Sequence, residues 1–315
     1  MLSCDIATVT SILKNVKYEE AILVGGLGNI LYRTSYNKHN MYMANGRGVM
    51  LVDELLDKLQ VAYKELTMDE LYKLNKNDYK NVLIITPIQL VDHIEKINKK
   101  ASQFLNTYST FRLVDIEKDT IILELASDVE EVYKRINKEQ LEIIESLKVM
   151  PLDINIKYIY IENDYEFRQD KINLQINKSV ARFLNSEQVN EEEYGWWKGD
   201  VFYEKLFHSI KEWESHQIKV IKFILYQSLL SGSSFFYRKE FSEALDLLEL
   251  QDTSPISQLE EAAKNWRNLG RHLKNHLAEQ KDIDFDYVEQ LIKNIKYNEL
   301  SSFKNLQKQL VYITK

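Results

Sequence analysis

The sequence is poor in cysteine, proline and glycine. Its 315 residues include one cysteine, three prolines and nine glycines. The single cysteine, Cys4, excludes a disulfide within the chain and fits a reducing compartment, so we expect a cytoplasmic protein. The scarcity of proline and glycine predicts few linkers.

Long apolar runs and an excess of positive charge are also missing. No run reaches the roughly 18–20 apolar residues that a membrane span needs, and the first residues lack the basic-then-apolar order of a signal peptide. The formal net charge is −7, which leaves no basic field for phosphate contacts. We therefore expect neither a membrane span nor nucleic-acid binding.

The front half of the chain mixes helix and strand patterns. After Cys4, four apolar residues recur at helical spacing: Ile6, Val9, Leu13 and Val16. The apolar run Ala21–Val24 predicts a short strand that leads into a glycine-rich segment. The other predicted elements are a helix at 51–59, strands at 61–65 and 82–86, paired strands at 111–115 and 120–125, and a charged helix at 128–147.

The composition shifts near Met150-Pro151. One more β-like segment, Ile154–Ile161, follows, and then helical patterns run almost to the end, at about 173–184, 201–230, 235–250, 255–280 and 285–311. Ser254-Pro255 is typical of a helix start, with a capping side chain and proline in the first turn. The sequence thus predicts an α+β protein with an α/β domain over 1–150 and a mainly helical domain over 151–315.

Cys4 is the first candidate for chemistry. A thiol at a helix N-terminus has its pKa lowered by the helix dipole, which makes the thiolate available as a nucleophile. The alternative is that Cys4 is an inert small hydrophobic residue, which is the commoner fate of an isolated cysteine.

The segment Gly25-Gly26-Leu27-Gly28 is the second candidate. A glycine run after a strand is typical of a phosphate-binding loop, but the Lys-Ser/Thr pair and the dinucleotide spacing are absent. The alternative is that these glycines allow a sharp turn or a close approach of the backbone to a neighbour. We assign substrate binding to Gly25, Gly26, Gly28 and Arg47.

The histidines suggest no metal centre. His272 and His276 are spaced i, i+4, but no HExxH motif or nearby carboxylate accompanies them, so we interpret them as a solvated helix face and expect no metal or other cofactor. His39 lies in a polar stretch and His93 in a predicted helix, and we interpret both as surface residues. The Trp196-Trp197 pair is interpreted as a packing contact between domains, although exposed aromatic rings also grip ligands.

The whole chain resembles the butirosin H-like family, whose namesake transfers an aminoacyl group from a carrier-protein thioester to an aminoglycoside amine. The resemblance depends on the order of several blocks. In the front half these are Ser3-Cys4 at a helix start, the segment from Glu19 to Gly28, and Asn45-Gly46-Arg47-Gly48. In the back half they are the segment 232–241, which contains Arg238, and the helical segment 259–266, which ends at Trp266.

The resemblance implies a papain-like front domain, related to bacteriocin-processing cysteine peptidases, and an all-α back domain. It also implies acyl chemistry: the Cys4 thiolate attacks a carbonyl, a base moves protons, and a carboxylate orients that base. Backbone amides near Cys4 would stabilise the oxyanion. An acyl carrier protein, or another carrier-linked donor, and a small amine acceptor would be the partners.

The chain departs from the family at three positions. The family's catalytic histidine would precede the strand 111–115, where this chain has Thr107-Tyr108-Ser109-Thr110. Glu124 stands where the orienting aspartate would fall, and Ser3 replaces the histidine before the cysteine. His39 is the best-placed residue to act as a relocated base.

Three functions remain open. The protein is an active acyltransferase of natural-product biosynthesis, a catalytically degenerate papain-like protein that binds a carrier protein or biosynthetic partner, or a cysteine peptidase or amidase. The helical back domain and the missing signal peptide favour the first two. The apolar faces of the back helices would be buried either in a homodimer or against the front domain.

Overall fold

The computed structural model describes residues 4–13, 15–36, 39–47, 52–87, 108–125, 132–146, 156–162, 169–190, 195–215, 219–230 and 235–313. The chain forms two compact units that interleave in sequence. The first comprises Met1–Ala21, Thr34–His39 and Met50–Arg168, and the second Ile22–Arg33, Asn40–Val49 and Gln169–Lys315. The chain is thus of mixed helix and sheet, as the α+β prediction requires.

The first unit is built on a six-stranded antiparallel sheet. Its strands are β3 (Tyr63–Leu66), β4 (Val82–Pro87), β5 (Tyr108–Glu117), β6 (Thr120–Leu125), β7 (Val132–Asn137) and β8 (Lys157–Ile161), in the order β3-β8-β4-β5-β6-β7. Its helices are α1 (Cys4–Ile12), α3 (Val52–Leu59), α4 (Met68–Leu71) and α5 (Lys138–Ser146), and α2 (Tyr18–Gly25) runs from the first unit into the second. Strand β8 belongs to this sheet although it follows residue 150.

The sheet follows from the apolar patterns of its central strands. Val82, Leu83, Ile84 and Ile85 are all buried, because both faces of β4 are covered. The predicted pairing of 111–115 with 120–125 is confirmed: β5 and β6 form a hairpin in which Glu117 pairs with Thr120 and Lys118 takes a positive φ of 56°. One face of the hairpin packs in a core with α5, through residues that include Phe111, Leu113, Ile121, Leu123, Leu141 and Ile144.

The prediction of a strand at Ala21–Val24 is wrong, because these residues lie in helix α2. All four are buried, and a short apolar run that is buried on every side has no period that separates strand from helix. The helix start is fixed by Glu20, whose Oε2 accepts a hydrogen bond from the Lys17 N–H at 2.8 Å.

The predicted charged helix at 128–147 is correct only in its last part. Val132–Asn137 forms the edge strand β7, in which Ile136 pairs with Ile121 of β6. Helix α5 then begins with a reciprocal cap: the Asn137 N–H donates to Gln140 Oε1 at 3.0 Å, and the Gln140 N–H donates to Asn137 Oδ1 at 2.8 Å. Residues 128–131 and 147 lie outside the described residues.

The second unit combines a four-stranded sheet with a set of helices. The strands are β1 (Leu27–Tyr36), β2 (His39–Arg47), β9 (Glu187–Asn190) and β10 (Gly195–Lys198), in the order β2-β1-β10-β9. The described helices are α6 (Gln169–Leu184), α7 (Asp200–Ser215), α8 (Lys219–Leu230), α9 (Tyr237–Ala244), α10 (Ser254–Glu279) and α11 (Phe285–Ile313). Within the described residues, no helix has the length and apolar composition needed to cross a bilayer.

The all-α back domain that the resemblance implies is wrong, because two strands lie among the helices of the back half. Strands β9 and β10 pair antiparallel, and β10 also pairs with β1, Trp197 lying opposite Leu31. Bulky aromatic residues favour strands, but a four-residue strand shows no reliable alternation. Its partner in β1 lies more than a hundred residues earlier in the chain, so the pairing is not visible locally.

The long helices of the back half were predicted nearly to the residue. The predicted start at Ser254-Pro255 is confirmed, but the N-cap residue is Thr253 and its side chain makes no cap hydrogen bond. The Asp252 carboxylate accepts from the Ser254 N–H at 2.8 Å and from the Ser254 hydroxyl at 2.6 Å. These two hydrogen bonds lower the pKa of the Asp252 carboxyl. The helix predicted at 201–230 is described as two helices, α7 and α8.

Candidate functional site

Cys4 is the first residue of α1, as the sequence predicts. The backbone of Cys4 therefore lies at the positive end of the helix dipole, where a thiolate is stabilised. The thiol itself lies outside the described side chains. The predicted apolar face is confirmed for Ile6 and Val9, which lie on α1 and are buried; Leu13 and Val16 are also buried but follow the end of the helix at Ile12.

The first turn of α1 is joined to strand β5 at a single residue. Asp5 Oδ1 accepts a hydrogen bond from the Thr110 N–H at 2.8 Å, and the Thr8 hydroxyl donates to the Thr110 carbonyl oxygen at 3.1 Å. Thr8 and Thr110 are both buried. One helix turn thus satisfies both backbone groups of one strand residue, which fixes the start of α1, and the backbone of Cys4, against β5.

Thr110 directly precedes Phe111, the residue that the resemblance places after a catalytic histidine. In this stretch the structure describes Tyr108, Ser109 and Thr110, and Thr107 lies outside the described residues. The backbone contacts of Thr110 therefore bring that part of β5 beside the helix start that carries Cys4. No imidazole is supplied from the described positions 108–110.

Glu124 lies on β6 directly opposite Arg112 of β5, and the two side chains form an ion pair and hydrogen bond. The side chain of Glu124 is 13% exposed and that of Arg112 36% exposed. A guanidinium stays protonated at any physiological pH, so Arg112 cannot serve as a base. In this structure the partner of Glu124 is therefore the arginine side chain of Arg112, which remains a cation, and not an imidazole.

His39 and Arg47 are the first and the last residue of β2. Their side chains are outside the described part of the structure, so the role of His39 as a base and that of Arg47 in substrate binding stay predictions. The segment Thr34–His39 is grouped with the first unit, as are Cys4 and Glu124, whereas the rest of β1 and of β2 belongs to the second unit.

The glycine run has a backbone role at two positions. Helix α2 ends at Gly25, and Gly26 follows with a φ of 71°, where a side chain is strained. A Cβ at Gly26 would lie 2.7 Å from the Cβ of Ser179 on α6. The carbonyl oxygen of Gly28 accepts a hydrogen bond from Arg238 Nη2 at 3.0 Å. The alternative of a sharp turn and close backbone approach is thus confirmed for Gly26, and substrate binding by the glycines stays a prediction.

A fully buried polar cluster in the second unit was missed at the sequence level. Arg238 and Glu299, both 0% exposed, form an ion pair through the guanidinium Nε. Glu299 also accepts from the Tyr203 hydroxyl and from Trp266 Nε1, each at 2.6 Å, and Arg238 lies over the Trp266 ring at 4.8 Å from its centroid. The cluster joins helices α7, α9, α10 and α11, and Arg238 extends it to Gly28 of β1.

The electrostatics of this cluster are dominated by burial. Burial, reinforced by the Glu299 carboxylate, raises the pKa of the Tyr203 hydroxyl well above its ordinary value, so Tyr203 serves as a hydrogen-bond donor. Each carboxylate oxygen of Glu299 has at least two donors within 3.3 Å. A buried charge that is paired and bonded in this way is tolerated, whereas one without a partner is costly.

A sequence signal for this cluster does exist. Glu299 falls on the apolar stripe of α11, between Ile295 and Phe303, at the i, i+4 spacing that should hold hydrophobic residues. Three of the blocks that carry the family resemblance also meet here, namely those containing Gly28, Arg238 and Trp266. A carboxylate inside an apolar stripe therefore indicates a buried cationic partner elsewhere in the chain.

His272 and His276 do not form a freely solvated face. Their ring centroids are 4.1 Å apart, and the Tyr287 ring lies edge-on to His272 at 4.9 Å. Burial, followed by the nearby His276, lowers the pKa of His272. Among the described residues, no group of three or more side chains is arranged to hold a metal ion.

The Trp196-Trp197 pair lies in β10, inside the second unit. Trp197 is 7% exposed, and the Lys205 ammonium lies 5.5 Å from the centroid of one of its rings. Trp197 is therefore a packing residue within that unit, and the side chain of Trp196 lies outside the described set.

A cleft of about 460 Å³ lies between α7 and α11 in the second unit. Four residues of each helix line it: Tyr203, Glu204, Phe207 and His208 from α7, and Glu289, Ile292, Lys293 and Lys296 from α11. Its volume is that of a small-molecule site.

No protein-family model and no curated protein matches this chain.

Proposed function

We propose that the chain is a papain-like, thiol-dependent acyltransferase of the butirosin H-like type, with Cys4 as its nucleophile. The observation that carries the proposal is the position of Cys4 at the start of α1, next to the Asp5 carboxylate that ties this helix end to β5. A nucleophile needs a fixed backbone and a stabilised thiolate, and a tethered helix N-terminus offers both.

The reaction would proceed in two acyl transfers. The Cys4 thiolate attacks the carbonyl carbon of a carrier-linked thioester, a new sulfur–carbon bond forms, and the carrier thiol leaves with a proton from the base. The amine acceptor then attacks the acyl-Cys4 carbonyl, its nitrogen–carbon bond forms, and the Cys4 sulfur leaves while the base accepts the amine proton. Backbone N–H groups near Cys4 would stabilise both oxyanions.

His39 is our candidate for the base, and Glu124 for the carboxylate that orients it. Because Glu124 is paired with Arg112, this role requires Glu124 to share its carboxylate between the guanidinium and an imidazole. A carboxylate has about four acceptor sites, so sharing is chemically reasonable. Gly25, Gly26, Gly28 and Arg47 would contact the substrate.

The partners that follow from this proposal are an acyl carrier protein or another carrier-linked acyl donor and a small amine acceptor. The setting would be natural-product biosynthesis in the cytoplasm, and a homodimer is one way for the back helices to bury their apolar faces. No resident metal or cofactor enters the reaction as we propose it.

A second candidate is a papain-like protein that binds a carrier protein or biosynthetic partner without turnover. Two observations favour it. The partner of Glu124 is a permanent cation, Arg112, and the described residues Ser109 and Thr110 bring no imidazole to the strand beside α1. Loss of one member of a catalytic triad costs several orders of magnitude in rate.

The pH dependence of Cys4 alkylation separates the two candidates. The acyltransferase predicts that iodoacetamide reacts with a thiol whose pKa is well below the ordinary value of about 8.5. The chain has one cysteine, so the unaltered protein gives a single signal, and Cys4→Ser is the blank. An ordinary thiol profile would argue against an activated nucleophile.

Covalent transfer is tested by intact mass after incubation with a small acyl thioester. We expect an acyl adduct on the unaltered chain, none on Cys4→Ser, and slower formation on His39→Asn. If no adduct forms and Cys4→Ala still binds a carrier protein, the binding function is the correct one.

A further inference from the structure

The cleft between α7 and α11 is independent of the chemistry proposed for Cys4. The two helices run antiparallel. At one end of their contact the Tyr203 hydroxyl donates a hydrogen bond to Glu299, and at the other end the Lys211 ammonium lies 5.7 Å from the centroid of the Phe285 ring. The cleft lies along this contact and is lined by four residues of each helix.

The inner wall of the cleft is apolar and firmly held. Tyr203 and Ile292 are buried, and Phe207 is half-buried beside them. Tyr203 is also fixed through its hydroxyl by the fully buried Glu299. This wall gives the body of a ligand an apolar surface that is already ordered, which reduces the entropic cost of binding.

The rim carries both signs of charge, and the two ends of the rim differ. At one end the Lys293 ammonium is 2.8 Å from Glu289 Oε1, so these two side chains form a hydrogen-bonded ion pair. At the other end the Lys296 ammonium is 3.8 Å from Asp200 Oδ1, which is beyond hydrogen-bond length. Glu204, on the facing helix, has no cationic partner among the described residues.

We propose that this cleft binds a zwitterionic small molecule with an apolar body, of the size of a large amino acid or a dipeptide. Lys296 pairs with the ligand carboxylate, Glu204 pairs with its ammonium group, and the apolar body packs on Phe207 and Ile292. The Lys293–Glu289 ion pair lies at the opposite end of the cleft and takes no part in binding the ligand charges. An anion alone would leave Glu204 unpaired, and a cation alone would leave Lys296 with only its loose partner.

The charge requirement is tested on the unaltered chain with three related probes. L-phenylalanine carries both charges, 3-phenylpropanoate lacks the ammonium, and 2-phenylethylamine lacks the carboxylate. In isothermal titration calorimetry we expect saturable binding of L-phenylalanine at millimolar concentration or below, and about tenfold weaker binding of each analogue, which is the effect of losing one charged hydrogen bond. Equal binding of an analogue, or no saturation by L-phenylalanine, would overturn the proposal.

The location of the binding site is tested with Lys296→Met and Glu204→Gln, each of which should weaken the binding of L-phenylalanine about tenfold. Lys304→Met is the matched control, an exposed lysine of the same helix α11 that does not line the cleft, and it should leave binding unchanged. A loss of affinity as large in the control as in Lys296→Met would place the ligand elsewhere. If a cleft variant failed to fold, the three-probe series on the unaltered chain would still decide.

Discussion

The two units each contain an arginine–glutamate pair, and the pairs differ in their exposure to water. In the first unit, Arg112 is 36% and Glu124 13% exposed, and the pair lies across two neighbouring strands. In the second unit, Arg238 and Glu299 are both 0% exposed and share their hydrogen bonds with Tyr203 and Trp266. An arginine–glutamate pair can therefore be free to change partners in one unit and be essential to the structure in the other.

The difference bears on where chemistry is expected. A carboxylate in a partly exposed pair can exchange its partner at a lower cost than one in a fully buried pair, as the role proposed for Glu124 requires. A carboxylate surrounded by fixed donors cannot do so without leaving a buried charge unpaired. Glu299 is therefore a structural residue, and Glu124 is the only one of the two that is suited to change partners.

The largest effect is expected from Glu299→Ala. The variant leaves the Arg238 guanidinium buried without its counter-charge, which should lower the free energy of unfolding by about 3–5 kcal/mol. Urea denaturation measures the change, with Glu243→Ala as the control, because Glu243 forms an exposed i, i+4 pair with Lys239. A loss below about 1 kcal/mol would mean that water reaches Arg238 and that the two arginine–glutamate pairs differ little in their contribution to stability.

A smaller effect is expected from Arg112→Met. The guanidinium is partly exposed, so its removal should lower the free energy of unfolding by about 1 kcal/mol or less. The same urea titration measures it, and Arg135→Met, which breaks the more exposed pair with Glu117, is the control. A loss comparable to that of Glu299→Ala would show that both pairs are structural, and would weaken the role proposed for Glu124.

The smallest effect is expected from the pH dependence of His272. Its pKa in the folded chain lies below the ordinary value of 6.5, so between these two values the unfolded chain binds more protons than the folded chain. The free energy of unfolding therefore rises with pH across this window. The contribution of neutral His272 to that free energy is fully present above pH 6.5 and is lost as the pH falls toward the lowered pKa.

Urea titrations on both sides of pH 6.5 measure this slope, and His272→Gln should flatten it. The residues that act on His272 are His276 on its own helix and Asp284 in the turn before α11. A slope that is unchanged in His272→Gln would assign the pH dependence to another group. A slope of opposite sign would mean that Asp284 dominates over burial.

Long periodic elements were the part of the fold that the sequence made predictable. α10 and α11 keep an apolar stripe over 26 and 29 residues, long enough for the helical period to be unambiguous. The strand predicted at Ala21–Val24 and the helix predicted across Val132–Asn137 failed because short segments take their structure from partners distant in sequence. The hairpin of β9 and β10 was missed for the same reason.

The candidate site was predictable only in its local part. The position of Cys4 at a helix start follows from the residues that come after it, and the structure places it there. The ties from Asp5 and Thr8 to Thr110 join residues about a hundred positions apart. The Arg238–Glu299 pair likewise joins two helices, and single polar residues on helices are usually interpreted as exposed.

The interleaving of the two units has a consequence for the order of events during synthesis. Leu31 in β1 pairs with Trp197 in β10, and translation at roughly 5–20 residues per second separates the two by about 10–30 seconds. In that interval the strands that complete the first unit's sheet leave the ribosome, while β1 is still without β10. The β10-facing edge of β1 therefore has no partner strand until residue 198 has emerged, and an unpaired strand edge is a place where another chain can pair.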